Sequence, residues 1–212
     1  MNTIFISILS GIEAKAILHT DILKRLLGHG NRVVLFLKSN ERAELYKREF
    51  SHPHLIYEVV SDFELSYGDR FFEFLKNYLV RTETLFLHKK VNFIEKKNHI
   101  SYAISGALSY ALGWGTVRKC ARFFDRMFVR NNSFSRFFDA YRPELVFLAN
   151  LFDPAEVAIV RESRKRSVPV VGFVNSWDKI TSKGHVRILP DALIVPNELV
   201  KQEALEFLDV RE

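Results

Sequence analysis

The sequence predicts an α/β protein with a doubly wound, Rossmann-like parallel sheet. Short apolar runs alternate with helix-like segments, and they lie at 3–9, 33–37, 55–60, 145–149, 168–174 and 192–195. Apolar runs of this length, bounded by turn residues, are typical of strands that are buried on both faces of a parallel sheet. The connections between neighbouring elements are short near both ends of the chain, as expected for βαβ units.

The first 60 residues predict a βαβαβ run. The elements are a strand at 3–9, a helix at about 14–27, a strand at 33–37, a helix capped by Ser39-Asn40 that extends to about 50, and a strand at 55–60. Gly30 marks the end of the first helix because glycine tolerates a left-handed cap. Parallel strands joined by helices are the units of a doubly wound sheet.

Residues 69–142 interrupt this alternation and predict a basic, helical, phenylalanine-rich insertion. No proline occurs between residues 69 and 141. Two apolar stripes have helical spacing: the first consists of Phe71, Phe74, Leu75, Tyr78 and Leu79, and the second of Cys120, Phe123, Phe124, Met127 and Phe128. The positions opposite the second stripe are polar, namely Arg118, Arg122, Asp125 and Arg126. This second segment is therefore expected to be an amphipathic helix.

From residue 143 onwards the alternation of strands and helices returns. It predicts a strand at 145–149, a helix at 154–166, a strand at 168–174, a short strand at 192–195, and a last helix that Asn197 caps and that ends near 208. Asp153-Pro154 suits the start of a helix, since aspartate caps the first turn and proline lacks an N–H. We expect one Rossmann-like domain over residues 1–212, in which 69–142 form an insertion.

Charge is distributed unevenly along the chain. Residues 70–142 carry 14 Lys and Arg against 5 Asp and Glu, whereas the rest of the chain carries 17 against 20. The same segment holds 11 of the 19 phenylalanines. Basic charge interleaved with large apolar rings is typical of a surface for anionic lipid or nucleic acid, and equally of a solvated helix face around an aromatic core. No nucleic-acid-binding motif accompanies the charge, so we expect no nucleic-acid partner.

Several classes of protein are disfavoured by composition and spacing. The sequence has no apolar run near the roughly 20 residues that span a bilayer, and its start lacks the basic segment of a signal peptide. Cys120 is the only cysteine, which fits a cytoplasmic protein. Metal-ligand spacings of His, Cys and Glu do not occur, so no metal site is expected. Neither a GxxxxGK[ST] phosphate loop nor a GxSxG nucleophile elbow is present.

The first candidate site is the loop after the first strand, which holds Ser10, Gly11 and Glu13. A dinucleotide-binding fingerprint needs three glycines, so one glycine predicts no bound dinucleotide cofactor. A single glycine still permits close approach of a ligand to the backbone, and Glu13 is a candidate general base. The alternative is a tight turn, with Glu13 in the first turn of a helix because of the helix dipole.

Two more polar loops follow predicted strands. Asn150 lies after the strand at 145–149, where a helix cap by Asp153 is the alternative interpretation. The richer loop is 175–184, and open α/β sheets bind ligands at the carboxyl ends of their strands. Its candidate site residues are Ser176, Trp177, Asp178, Lys179, Thr181, Lys183 and Gly184.

The side chains of the loop at 175–184 have the chemistry of a sugar or phosphate site. Trp177 offers a flat face for a sugar ring or an aliphatic tail. Asp178 can bind hydroxyls or accept a proton, and Lys179 and Lys183 can bind a phosphate group. The alternative is structural, in which Trp177 packs beneath the loop and Asp178 accepts from nearby backbone amides.

Together these segments resemble the N-terminal half of a GT-B glycosyltransferase. The resemblance is carried by Thr3–Gly11 with its following helix, by Pro143-Glu144-Leu145-Val146, and above all by 170–203, which begins VVGFVNSWDKITSKG and continues with PDALIVPNELVKQE. This last part is similar to the acceptor-domain end of bacterial sugar transferases, in which a strand leads to an SWDN-type loop. Lys179 stands where the family has asparagine, which removes an amide contact at that position.

The resemblance implies a function for the chain. Such enzymes bind a sugar acceptor on the N-terminal domain and a nucleotide-sugar donor on a second Rossmann-like domain, usually without a metal or a tightly bound cofactor. That donor domain is absent from the 212 residues, so we expect half of an enzyme, a fragment or one member of a split pair, with little activity alone. In this hypothesis Glu13 or Asp178 is the base, Trp177 stacks on the acceptor, and Lys183 compensates a phosphate.

The resemblance also gives the basic centre a role. Transferases of this architecture dock basic helices on anionic membranes, where envelope or lipid-linked acceptors lie, so we expect a cytoplasmic protein that binds the inner membrane face through 70–142. The runner-up hypothesis is a non-catalytic, membrane-associated subunit that partners a separate donor-binding domain. A sugar-nucleotide epimerase-like protein, which shares the architecture, is the third hypothesis.

Overall fold

The computed structural model describes residues 1–210 and contains one six-stranded parallel sheet. The strands are β1 (Thr3–Ser7), β2 (Arg32–Leu37), β3 (Leu55–Val59), β4 (Leu145–Leu148), β5 (Val170–Phe173) and β6 (Ala192–Ile194). Their order is β3-β2-β1-β4-β5-β6, and all five pairings are parallel. This is the order of a doubly wound, Rossmann-like sheet, which confirms the predicted fold class.

Helices connect the strands and form the centre of the chain. Within residues 1–210 they are α1 (Gly11–Ile17), α2 (Asp21–Gly28), α3 (Asn40–Glu49), α4 (Tyr67–Leu75), α5 (Glu83–Lys96), α6 (His99–Leu112), α7 (Gly115–Phe128), α8 (Ser135–Tyr141), α9 (Pro154–Lys165), α10 (Lys179–Ser182) and α11 (Glu198–Phe207). The prediction of one helix at about 14–27 is wrong, because Thr20 starts a new one. The Thr20 hydroxyl accepts from the amide of Ile22 and donates to the carbonyl of Ala16, which is how a cap divides a helical segment.

The chain divides into two compact units. The first unit consists of Met1–Glu64, Asn131–Asn175 and Pro190–Val195. The second unit consists of Leu65–Arg130, Ser176–Leu189 and the residues from Pro196 onward. All six strands therefore belong to the first unit, whereas the second unit is helical. The expectation of a single domain with an insertion at 69–142 stays a prediction.

The core of the first unit covers both faces of the sheet. On one face, alternate residues of β1 and β2, such as Ile6 and Leu35, pack with buried side chains of α1, α2 and α3. On the other face, Phe5 contacts Phe36 and Phe138 edge to face, with ring centroids 4.9 and 5.0 Å apart. Side chains of a strand alternate between its faces, so both sets come from the same short apolar runs.

The second unit has a small apolar core and a buried ionic cluster. The buried residues of this core include Phe72, Leu79, Ala121 and Val129. Beside this core, the guanidinium of Arg187 donates to Asp125 at 2.7 Å, to Asp69 at 2.9 Å and to Glu73 at 3.1 Å. Arg187, Asp69 and Asp125 are all buried. Charges in a dry interior need such pairing, so removal of Arg187 would leave buried carboxylates without a partner.

Helix α7 has the opposite polarity to an ordinary amphipathic helix. Asp125 is buried against Arg187, and Arg118 and Arg122 both donate to the carboxylate of Asp209. The aromatic stripe of α7 instead faces outward, with Phe128 67% exposed. Arg126, which the sequence places on the polar side, is also exposed. Arg118, Arg122 and Asp125 therefore pack inward, whereas the aromatic stripe is left uncovered.

Helix α8 does not contribute to that uncovered surface. Phe134, Phe137 and Phe138 are buried in the first unit, where Phe36 contacts both Phe134 and Phe137. These three rings are part of the sheet core and account for some of the phenylalanine enrichment in 70–142. The exposed aromatic residues of the segment lie in α4–α7.

Candidate functional site

The carboxyl ends of β1 and β4 lie side by side in the first unit, at the point where the strand order reverses. Ser7 pairs with Leu148 in the register of these two strands. From β1 the sheet continues through β2 and β3 on one side, and through β4, β5 and β6 on the other. In open α/β sheets this reversal leaves a crevice for ligands. The residues that follow β1, β4 and β5 are therefore the first candidates for a binding site.

A buried carboxylate, Glu156 of α9, connects the ends of β1 and β4. The hydroxyl of Ser7 donates to Glu156 Oε1 at 2.5 Å, and the amide of Asn150 donates to Oε1 and Oε2 at 3.0 and 3.1 Å. The amide of Ala149 donates to the hydroxyl of Ser7 at 3.2 Å. Four groups from two strand ends and one helix are thus held in one hydrogen-bonded network.

The environment of Glu156 favours its neutral form. The side chain is 0% exposed, and burial raises the pKa of its carboxyl well above the ordinary value of 4.5. The neighbouring charges of Glu13 and Asp153 raise the pKa further, whereas the hydrogen bonds from Ser7 and Asn150 lower it. A carboxyl group in its protonated form can donate a hydrogen bond as well as accept one.

Glu13, the first predicted general base, is also 0% exposed. Its Oε2 accepts from the amides of Leu9 and Ser10 at 2.5 and 2.7 Å, and its Oε1 accepts from the hydroxyl of Ser10 at 2.9 Å. The arrangement is a capping box, in which the third residue of a helix satisfies the amides that precede it. The geometry favours a role for Glu13 in holding the loop after β1.

Gly11 is exposed at the start of α1, and the chain does not need a glycine there for conformational reasons. A Cβ atom built on Gly11 would meet nothing within 4 Å. The neighbouring Ser10 is half-buried. There is therefore open space beside Gly11 at the start of α1, and the role of Gly11 in approach of a ligand stays a prediction.

Asn175 extends the network to the end of β5. Its Nδ2 donates to the carbonyl of Ala149 at 2.7 Å. Its Oδ1 is buried and accepts no hydrogen bond within the described part of the chain. Buried polar atoms are normally satisfied, so this oxygen is suited to accept from a hydroxyl or an amide of a ligand. Asn150 and Asn175 thus add two amide side chains to the candidate site of the first unit.

The remaining predicted site residues lie in the second unit, because the boundary falls between Asn175 and Ser176. Trp177 is 71% exposed. The alternative interpretation, in which the indole packs beneath the loop, is wrong for this side chain. An exposed indole face is a surface on which a sugar ring can stack.

Asp178 is ionised and is held by two hydroxyl groups. The hydrogen bond from Ser176 is the main cause that lowers the pKa of Asp178 below its ordinary value, and a weaker one from Ser182 acts in the same direction. Burial opposes this effect, and the charge of Lys183 supports it. The carboxylate therefore stays charged at neutral pH, as the predicted role in binding hydroxyls requires.

The other residues of this segment divide into exposed and structural positions. Lys183 is exposed, whereas Lys179 is buried. The carbonyl of Thr181 accepts from the hydroxyl of Thr82 at 2.6 Å, which attaches the segment to the start of α5. Gly184 has a φ of +78°, and a Cβ atom there would lie 2.8 Å from the carbonyl oxygen of Lys76. Gly184 is therefore needed by the backbone itself.

Sequence reasoning missed Ser7 and Glu156, the centre of the first-unit network. One signal was present, since Ser10-x-x-Glu13 and Asp153-x-x-Glu156 share the spacing of a capping box. Glu13 follows that pattern. Glu156 instead accepts from Asn150 and Ser7, which lies 149 positions away along the chain. Only the pairing of β1 with β4 brings these residues together.

Comparison with known proteins finds no matching family model, no matching curated protein and no matching solved structure. The resemblance to glycosyltransferases therefore depends on the sequence segments alone. None of the helices in residues 1–210 is long and apolar enough to cross a lipid bilayer. Over the same residues, His, Cys, Asp and Glu form no group of three or more that could hold a metal ion.

Proposed function

We propose that the chain is the acceptor-binding half of a nucleotide-sugar-dependent glycosyltransferase that acts on envelope or lipid-linked glycans at the cytoplasmic face of a membrane. The observation that carries the proposal is the network at the ends of β1, β4 and β5. There Asn150 and Asn175 place neutral amide side chains, and Asn175 Oδ1 has no hydrogen-bond partner within residues 1–210. The buried contact between Ser7 and Glu156 holds the strand ends in position. Neutral hydrogen-bonding groups of this kind suit the hydroxyls of a sugar better than a phosphate chain.

The loop after β1 supports an acceptor site and disfavours a nucleotide site. In dinucleotide-binding folds the amides of this loop bind pyrophosphate. Here the amides of Leu9 and Ser10 are occupied by the carboxylate of Glu13. A phosphate would meet that negative charge. We therefore assign the nucleotide-sugar donor to a separate domain and the acceptor to the described strand ends.

Asp178 is the better of the two predicted bases. Glu13 is fully buried and uses both carboxylate oxygens to hold its own loop. Asp178 is only partly buried and remains ionised. Its neighbours Trp177 and Lys183 are exposed. We assign Trp177 to stacking on a sugar ring and Lys183 to neutralising the charge of a phosphate.

Tryptophan fluorescence tests the sugar-stacking role assigned to Trp177. The chain has two tryptophans, so Trp114→Phe leaves Trp177 as the only reporter. Titration with glucose, galactose, mannose, N-acetylglucosamine and their disaccharides should give a saturable change in Trp177 emission with at least one sugar. The matched variant Trp177→Phe, in which Trp114 reports, should give none. A flat response of Trp177 to every sugar would contradict the assigned stacking role.

Activity of the isolated chain is a separate part of the proposal. Because the donor is assigned to another domain, the 212-residue protein should transfer no sugar from UDP-N-acetylglucosamine or UDP-glucose to any acceptor of the panel. Mass spectrometry of the products measures this. Robust transfer by the chain alone would remove the division of labour between two domains.

The second candidate function is a membrane-associated subunit that partners a separate donor-binding domain. The specific observation is the outward-facing stripe of α7, which consists of Phe123, Phe124, Met127 and Phe128, all exposed. The basic side chains Lys119, Arg126 and Arg130 are exposed on the same segment. Aromatic rings that insert into the interface between water and lipid bind anionic bilayers when basic residues flank them. Each basic residue contributes about 1 kcal/mol to the free energy of membrane binding.

Vesicle sedimentation tests this membrane role. Phosphatidylglycerol vesicles should bind the protein, phosphatidylcholine vesicles should bind it less, and added salt should weaken the binding. The double variant Phe123→Ser/Phe128→Ser should bind vesicles more than tenfold more weakly. Burial of each ring contributes about 1.5–3 kcal/mol to the free energy of binding. Leu199→Ser is the matched control, since Leu199 and Phe128 are both 67% exposed. Equal loss in the control, or indifference to lipid charge, would remove the membrane role.

A further inference from the structure

An open pocket of about 450 Å³, lined by both polar and apolar side chains, lies along the helix pair α5–α6 of the second unit. This volume suits a small organic molecule and exceeds what an inorganic ion needs. The walls come from α5, from α6, from the turn after α4 and from Ser182 of α10. None of the residues that we assign to the acceptor site of the first unit lines it.

The charge of the pocket has one sign. Lys89, Lys96 and His88 line it, and none of the described lining residues is acidic. The other polar groups are neutral asparagine, serine and tyrosine side chains. Two lysines and no carboxylate give a site that attracts an anion, and the amide and hydroxyl groups supply further hydrogen bonds to it.

Lys89 is held in position by uncharged neighbours. Its ammonium lies 4.8 Å from the ring centroid of Tyr78 and donates to the hydroxyl of Ser109. The side chain is half-buried, and this burial lowers the pKa of Lys89. A partly desolvated ammonium without a carboxylate partner gains more from an anion than a solvated surface lysine does.

One wall of the pocket is aromatic. The rings of Phe93 and Tyr102 lie 4.9 Å apart, at an angle of 33°. Both residues line the pocket. Such a wall fits the carbon skeleton of a sugar or a glycerol, whereas the lysines fit an attached phosphate. The combination selects a phosphate ester over free phosphate.

We propose that the pocket between α5 and α6 binds a phosphate ester of a sugar or of glycerol, with Lys89 and Lys96 on the phosphate. The ester is either a soluble molecule or the headgroup of a lipid. Exposed apolar side chains on the outside of the same helices, such as Leu87, Ile94 and Ile104, are compatible with a lipid source. The inference does not depend on the proposed sugar transfer, because Lys89 and Lys96 have no role in it.

Isothermal titration calorimetry of the whole chain tests the site with glycerol 3-phosphate, glucose 1-phosphate and inorganic phosphate. At least one ester should bind more tightly than inorganic phosphate. Lys89→Gln and Lys96→Gln should each weaken that binding about tenfold or more, the usual loss for a charge-assisted hydrogen bond. Lys90→Gln is the matched control, since Lys90 is exposed on α5 and does not line the pocket.

Two results would overturn the proposal. The first is that neither ester gives heat in calorimetry and that vesicle binding does not depend on Lys89. The second is that Lys90→Gln weakens binding of the ester as much as Lys89→Gln does. Lys96 is exposed and makes no hydrogen bond or ion pair within residues 1–210. Lys96→Gln therefore keeps the test valid if Lys89→Gln perturbs the helix pair. Vesicles of phosphatidylglycerol distinguish the two sources. If the ester is a lipid headgroup, Lys89→Gln should weaken binding to the vesicles, and glycerol 3-phosphate should compete with the vesicles for the protein. If the ester is a soluble molecule, Lys89→Gln should leave vesicle binding unchanged.

Discussion

The two units of this protein differ in where their aromatic side chains lie. In the first unit, Phe5, Phe36 and Phe138 are buried on the sheet. In the second unit, Arg187 and Asp125 are buried, whereas Phe128 is exposed. The first unit thus follows the common pattern in which apolar burial drives folding. The second unit keeps apolar surface outside, which is an arrangement expected where another surface is to be bound.

The sharpest contrast comes from one substitution made in both units. Phe36→Ala should lower the free energy of unfolding by about 3–5 kcal/mol, because it opens a cavity in a packed core. Phe128→Ala should change it by less than about 0.5 kcal/mol, because the ring is already exposed. Chemical denaturation followed by circular dichroism measures both. Similar losses for the two variants would show that the stripe of α7 is covered in solution.

The buried ionic cluster should be the second most sensitive point. Arg187→Ala removes the cation between Asp69 and Asp125, so we expect a loss of about 3 kcal/mol in unfolding free energy. Hydrogen exchange should become faster first in α4 and α7, which carry the two carboxylates. Arg70→Ala on the exposed side of α4 is the control. Unchanged stability of Arg187→Ala would mean that the cluster is not needed for packing.

The pH dependence of stability tests the raised pKa of the Glu156 carboxyl in the first unit. The pKa of Glu156 is raised in the folded protein, so the folded state binds more protons than the unfolded state above the ordinary value of 4.5. Stability should therefore fall as pH rises above that value, by at most about 1.4 kcal/mol per pH unit from this one group.

Glu156→Gln should flatten this dependence, since glutamine keeps the shape and does not titrate. Denaturant midpoints between pH 4.5 and 8 measure the effect, starting from the ordinary pKa of the group. Glu41→Gln, at an exposed site on α3, should leave the slope unchanged. A slope that survives in Glu156→Gln would show that another group causes it.

The smallest expected effects concern two glycines. Gly184→Ala should cost about 1–2 kcal/mol, because an L-residue is strained at a φ of +78° and its Cβ would lie 2.8 Å from the carbonyl oxygen of Lys76. Gly11→Ala should be neutral or add about 0.5 kcal/mol, since the site is helical and open. Thermal unfolding of both variants tests this. Destabilisation by Gly11→Ala would show a backbone requirement in the loop after β1.

The sequence predicts the first unit well because its signals are local. Strands buried on both faces read as short apolar runs, and five of the six predicted strands begin within one residue of the observed start. Helix starts at Ser39, Asp153 and Asn197 are visible as capping residues. These features depend on neighbours in the chain, which a single sequence contains.

The second unit and the site network depend on distant partners. Two distant residues determine which side of α7 faces inward. Arg187 binds Asp125, which lies 62 positions away along the chain, and Asp209 binds Arg122, which lies 87 positions away. Without those partners, spacing alone indicates that the aromatic side faces a core. The Ser7–Glu156 contact has the same character. Charge pairs and buried carboxyls that bring remote segments together leave no periodic trace in the sequence.

The most direct test of the account is an NMR titration of the isotope-labelled chain. The central claim is that the strand ends of the first unit bind a sugar acceptor and not a nucleotide. At least one saccharide of the panel should shift the amide signals of Ser10, Asn150 and Asn175 in a saturable way, and UDP-N-acetylglucosamine should leave them unchanged. Shifts of these amides by the nucleotide-sugar, or no shift with any saccharide, would contradict the claim.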